Sequence, residues 1–247
     1  MGLTLKCKLK KLKEKGKQRL FVIPYFFTFA NAVFGLLSVI KTLEGDFFGA
    51  AYCIILAGVM DLFDGRLARA FGSSSYLGME LDSLCDAVSF CFAPAILLYS
   101  AYLHKVGIFG VTIVSLYLCC GLLRLAKFNI LSQDNLSQDF FIGLTTTLSA
   151  FLIAQLVLHY NWICQQLFPF LSSPYGLALF VLTLSFLMIS PVTFLSFKKI
   201  NPRLSLLAGS LVVMIFSFGF AYGIPLLFMG IFSYIVSSIF YFVYLRL

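Results

Sequence analysis

Long apolar runs, each closed by a short polar or glycine- and proline-bearing break, dominate this chain. Eight such runs fall at 26–43, 47–70, 77–101, 107–130, 140–160, 175–196, 204–222 and 224–245. Between them stand Glu44-Gly45-Asp46, Gly72-Ser73-Ser74-Ser75, His104-Lys105, Ser132-Gln133-Asp134-Asn135, Ser172-Ser173-Pro174, Asn201-Pro202-Arg203 and Tyr222-Gly223-Ile224-Pro225. A helix needs about twenty apolar residues to cross the roughly 30 Å hydrocarbon core of a bilayer. No alternation of apolar and polar positions over stretches of about ten residues occurs, which argues against a membrane β-barrel. The pattern predicts an all-α, polytopic membrane helix bundle of about eight transmembrane helices.

Composition agrees. The 247 residues are 61% hydrophobic and 11% charged, whereas soluble domains run near 45–50% apolar and about 25% charged. The net charge of +8 is concentrated in the first nineteen residues, where Lys6, Lys8, Lys10, Lys11, Lys13, Lys15, Lys17 and Arg19 face one acid, Glu14. The basic balance is therefore no case for nucleic acid. Leu5, Leu9 and Leu12 share one helical face among these lysines, which predicts a basic amphipathic helix on an anionic leaflet; a solvated basic tail is the alternative. Residues 1–25 form this N-terminal segment and 26–247 the membrane domain. Sixteen of the eighteen basic residues fall at one side of the predicted spans; Lys41 and Lys105 are the exceptions. By the positive-inside tendency both termini lie in the cytoplasm. The seven cysteines contain no CxxC pair and read as core residues.

The acids carry the chemistry. Five of the ten lie between positions 61 and 86: Asp61, Asp64, Glu80, Asp82 and Asp86. Carboxylates inside membrane spans are expensive and usually functional. Asp61 and Asp64 are three apart on the end of the second run; Asp82 and Asp86 are four apart at the start of the third. Each pair shares a helical face, and adjacent antiparallel helices bring four carboxylates together near the cytoplasmic side. Such a cluster needs cations, and an all-oxygen ligand set suits two hard divalent ions, Mg²⁺ or Mn²⁺, able to clamp a phosphoryl group in transfer. Gly65, Ala68 and Gly78 keep the same register and leave a slot beside the carboxylates, although small residues also serve close helix packing. Arg69 adds a phosphate-seeking charge at the slot's edge. Glu80 reads as a solvated carboxylate.

The stretch Asp61-x2-Asp64-Gly65-x2-Ala68-Arg69-x8-Gly78-x3-Asp82-x3-Asp86 resembles the signature of the CDP-alcohol phosphatidyltransferases at every fixed position. The resemblance implies that Asp61, Asp64, Asp82 and Asp86 hold two divalent ions at a CDP-lipid diphosphate. It also implies that Asp86 is the general base for an acceptor hydroxyl, that CMP leaves, and that the chain is a homodimer. Gly65, Arg69 and Ser75 would touch the CDP-lipid, and Thr28 and Asn31 would line the same slot; for Asn31 an interhelical packing hydrogen bond is the alternative.

Four further segments are similar to the phosphatidylserine synthase branch of that family: DSLCDAVSFCFAP from Asp82 to Pro94, GLLRLAKFN from Gly121 to Asn129, FIGLTTTLS from Phe141 to Ser149, and LMISPVTFLSFK from Leu187 to Lys198. In the third, the branch carries prolines that this chain lacks. The branch implies CDP-diacylglycerol and L-serine as substrates at the cytoplasmic face of a cell (inner) membrane, with Arg124, Lys127 and Lys198 as candidates for the serine carboxylate. Cations at span ends also snorkel to lipid headgroups. Glycerol 3-phosphate or an inositol phosphate is the rival acceptor. An ion-coupled transporter is the rival class, but its acids should spread over several helices near the midplane.

Overall fold

The computed structural model describes residues 25–70, 76–133, 140–195 and 226–244. The basic head, the 204–222 run, Ser75 and Lys198 lie outside the described residues.

Helix α1, Tyr25–Leu43, turns back through Gly45 at φ 81° into α2, Phe47–Ala70. Asp46 starts α2: its Oδ1 accepts from the Gly49 amide at 2.9 Å, satisfying one of the donors that a helix start leaves open. The same carboxylate and Glu44 pair with Lys41 at 3.5 and 3.4 Å on the exposed turn. The third span, Tyr76–Ala101, is not a uniform helix. It runs as α3, Tyr76–Asp86, then a π-helical turn, Ala87–Phe92, then α4, Ala93–Ala101. Pro94 explains the irregularity, because a proline has no N–H and its ring crowds the carbonyl four residues back. Helix α5, Ile108–Gln133, follows a reversal at Gly107, φ 62°.

The predicted 140–160 run does not begin as helix. Phe140–Ile142 is a short strand, β1, paired antiparallel with Thr193–Leu195, β2, in the register Phe140 opposite Leu195 and Ile142 opposite Thr193. Gly143 turns the chain at φ 78°, where a Cβ would strike the Met188 carbonyl. Helix α6, Thr146–Leu158, then starts under the Thr145 cap, whose hydroxyl accepts from the Leu148 amide at 3.3 Å. It bends by 87° into Tyr160–Leu167, α7 and the π-helical turn that continues it. Helix α8, Pro174–Ile189, ends earlier than the predicted 175–196 run because Pro191 disfavours helix at Ser190. The last helix, α9, is Leu226–Tyr244.

Among the described residues, four helices are long and apolar enough to cross a membrane, and up to five when the bent pair counts as one span. Tyr117, Leu152, Leu156, Val181 and Leu184 build one core; Ile54, Phe90, Leu97 and Ala154 build a second between α2, the π-helical turn, α4 and α6. Phe29, Leu43, Phe48, Phe109, Leu123, Leu179 and Phe186 point outward and are exposed. Large exposed apolar side chains on apolar helices fit an integral membrane protein.

Candidate active site

Three elements meet at one end of the bundle. The turn at Gly45 makes α1 and α2 antiparallel neighbours, so the beginning of α1 lies beside the end of α2; Phe27 and Phe63 pack there with ring centroids 5.8 Å apart. Thr28 and Asn31 on α1, both buried, therefore face the aspartates. Asp64, also buried, takes hydrogen bonds from the Thr28 hydroxyl and the Gly65 amide, while its Oδ2 has no partner.

Helix α3 brings the second pair. Asp61, Asp64 and Asp82 each offer a carboxylate oxygen, all within 4.8 Å of one another. Asp82 Oδ1 is buried without a partner. Two orphaned carboxylate oxygens in one cluster of three, all hard oxygen donors, fit a divalent cation of the Mg²⁺ type. Without one, each pair of carboxylates repels by about 3–4 kcal/mol at an effective dielectric near 20.

Asp86 falls outside that group of three. Its Oδ1 accepts from Asn31 Nδ2 at 3.0 Å, and it remains within electrostatic range of Asp61 and Asp82. The Asn31 side chain thus bonds across helices to an aspartate, while Asn31 Oδ1 stays buried and unpartnered. The Asn31 carbonyl accepts from Ser89 Oγ at 2.9 Å. Gly35, one turn further on, permits this crossing, since a Cβ there would meet the Ser89 backbone at 2.9 Å.

A Cβ at Gly65 would meet nothing within 4 Å, so Gly65 borders open space beside Asp64 and is no helix-packing contact among the described residues. Ala68 and Arg69 belong to the last turn of α2, and Gly78 to the first turn of α3. Glu80 is tied to α5: it accepts from Asn129 Nδ2 at 3.4 Å, and Ser83 Oγ donates to Asn129 Oδ1 at 2.9 Å.

Arg124 on α5 is 9% exposed. Its Nη1 donates to Thr146 Oγ1 at 3.3 Å, its Nε has no partner, and it lies within electrostatic reach of Asp86. Lys127, one turn on, is exposed. Tyr117, Thr146 and Ser149, which the motif spacing does not single out, join Arg124 in a buried polar cluster; hydroxyls at helical spacing inside apolar runs are the available signal.

The CDP-alcohol phosphatidyltransferase family model matches residues 21–190. Among similar proteins is a CDP-diacylglycerol–serine O-phosphatidyltransferase of Bacillus subtilis, 35% identical over 177 residues, covering 72% of this chain and 92% of the relative. One of the same name from Helicobacter pylori is 30% identical over 204 residues, covering 80% of each chain. An archaetidylserine synthase of Methanothermobacter thermautotrophicus is 32% identical over 149 residues, covering 60% of this chain and 62% of the relative.

Proposed function

The chain belongs to the CDP-alcohol phosphatidyltransferase family, and from that premise we propose that it transfers the phosphatidyl group of CDP-diacylglycerol to the hydroxyl of L-serine, giving phosphatidylserine and CMP. The observation that carries the reading is the cluster of Asp61, Asp64 and Asp82 with Asp86 beside it at one end of apolar helices, Asp64 buried and the other three half-buried. The relatives named for serine transfer support serine as the acceptor.

Two divalent ions, Mg²⁺ or Mn²⁺, held by Asp61, Asp64, Asp82 and Asp86, supply charge neutralisation and Lewis acidity at the diphosphate when bound. Asp86 takes the proton of the serine hydroxyl. The serine oxygen forms a bond to the lipid phosphorus, and the bond from that phosphorus to the bridging oxygen breaks, so the electron pair leaves with CMP. Asn31 holds one oxygen of Asp86, which leaves the other for the proton. Gly65, Ala68, Arg69, Ser75, Gly78, Thr28 and Asn31 line the CDP-lipid slot; the open space at Gly65 supports this.

Arg124, Lys127 and Lys198 receive the serine carboxylate. Arg124 is the best supported, because its buried guanidinium keeps an unpartnered Nε near Asp86. About eight spans carry both termini and the site on the cytoplasmic face of the cell (inner) membrane. The 1–25 segment lies on the leaflet as a basic amphipathic helix, and the 26–247 membrane domain forms a homodimer.

The test is CMP release by purified protein in detergent, with CDP-diacylglycerol, Mg²⁺ or Mn²⁺, and one acceptor at a time. Release that requires L-serine and a divalent ion supports the proposal. Release with glycerol 3-phosphate or an inositol phosphate instead keeps the family and overturns the acceptor. No release with any acceptor overturns the enzyme reading and favours an ion-coupled transporter.

A further inference from the structure

The π-helical turn Ala87–Phe92 begins at the residue after Asp86, so whatever holds that turn also sets where Asp86 points. Within it the backbone bonds skip one residue further than in an α-helix: the Ala93 amide donates to the Val88 carbonyl. Wherever a helix switches to this wider turn, a carbonyl loses its usual donor. Here the sequence names one. In a regular helix the Phe90 carbonyl would accept from residue 94, which is Pro94 and has no N–H.

Tyr117, on α5, supplies the missing donor. Its side chain is fully buried, and its hydroxyl donates to the Phe90 carbonyl at 3.1 Å. The same hydroxyl lies 3.0 Å from Ser149 Oγ on α6. Ser149 is itself fully buried and sits 2.8 Å from the Thr146 carbonyl. On the opposite side of the turn, Ser89 Oγ donates to the Asn31 carbonyl at 2.9 Å, and Asn31 holds Asp86. The turn is clamped from two sides by hydroxyls, one turn downstream of the proposed base. Buried hydroxyls among apolar helices are costly unless each is bonded, and these are bonded to the one irregular element in the site.

We infer that Tyr117 is a positioning residue for the transfer proposed above: by holding the Phe90 carbonyl that Pro94 leaves without a donor, its hydroxyl keeps the π-helical turn in place and fixes the angle at which Asp86 meets Asp61, Asp64 and Asp82. Without that hydroxyl the turn loses one of its two clamps and shifts, which rotates α3 against α4. The carboxylate of Asp86 then swings relative to the other three, while the slot for the CDP-lipid, built by α1, α2 and the start of α3, is left intact.

The test is Tyr117→Phe in the full chain, which removes one oxygen and keeps the ring. CMP release is measured with CDP-diacylglycerol and L-serine varied separately. The expected result is a kcat about tenfold lower, with the KM for CDP-diacylglycerol within about twofold of the parent. Asn31→Ala and the double variant complete a cycle: if both residues act by placing Asp86, the double variant loses far less than the product of the two single losses. A Tyr117→Phe enzyme at the parental rate, a loss confined to the KM for CDP-diacylglycerol, or strictly multiplicative losses would each overturn the inference. Should Tyr117→Phe prove too unstable to purify, Ser149→Ala takes its place, with an expected kcat loss of about threefold; a full rate there would overturn it equally. If the parent protein releases no CMP with any acceptor, the proposed function falls and this inference with it. A normal Tyr117→Phe enzyme beside an active parent overturns the inference alone.

Discussion

Replacing Asp82 by asparagine should make the metal-free protein more stable and the metal-loaded protein less so. Three carboxylate oxygens lie within 4.8 Å of one another, and two of the three aspartates carry an orphaned oxygen. At an effective dielectric near 20, unit charges at that separation repel by about 3–4 kcal/mol per pair. Asp82→Asn removes two of the three pairs. Asp61 and Asp82 are only half-buried, so water screens the repulsion, and we take about 2 kcal/mol as the net relief. For a chain of this size about 1 kcal/mol moves Tm by roughly 2–4 °C, which gives a rise of about 4–8 °C in EDTA. A divalent ion at about 100 times its Kd stabilises the native state by about 2.7 kcal/mol, so the parent protein should gain about 5–11 °C on adding it. The variant should gain little or nothing, because an amide oxygen brings no charge. Thermal unfolding in detergent, with EDTA and then with Mg²⁺ or Mn²⁺, reads both effects without any substrate. An Asp82→Asn protein that melts lower than the parent in EDTA, or that keeps the parental gain with metal, would refute the assignment of these carboxylates to a cation.

Asp86→Asn should lower kcat by about 10²–10⁴-fold, as loss of a general base does. It should leave the KM for CDP-diacylglycerol near the parental value, since Asn31 Nδ2 can still donate to an amide oxygen; steady-state CMP release checks this. Gly65→Leu should abolish CMP release while leaving Tm within a degree or two, because the added side chain enters open space; a large drop in Tm would instead mark the position as packed. Thr145→Pro should be close to neutral in Tm: the lost cap costs about 1 kcal/mol and the stiffer unfolded chain returns about 0.4–1 kcal/mol.

The first four spans were legible because hydrophobic period and punctuation coincide in them. Glu44-Gly45-Asp46 carries both a glycine for the positive φ and an aspartate for the cap, and the helices on either side fall within a residue or two of the apolar runs. The runs at 140–160 and 175–196 misled because they stay apolar through a change of backbone conformation. Phe140–Ile142 and Thr193–Leu195 are as hydrophobic as the helices they adjoin, yet they pair as strands. What separates them is local: Gly143 at φ 78°, and Pro191 after Ser190. The family-like segment around them loses its prolines in this chain, yet Thr145 sits at φ −69°, an angle a proline would hold. Its hydroxyl caps the helix, so the loop shape survives by a different device.

The site divides along the same line. Spacings of three and four put Asp61 with Asp64 and Asp82 with Asp86 on common faces, and that much is helix geometry. The separation of Asp86 from the other three is tertiary: it follows from Asn31, 55 residues away in sequence, reaching its Oδ1. The register of Asp86 shows where local reasoning ends. Pro94 stands four residues after Phe90, so the chain alone shows that this carbonyl loses its usual α-helical donor. The donor it finds, Tyr117, is 27 residues on and belongs to another helix. The need was written locally, and only the packing of α5 against the π-helical turn could answer it.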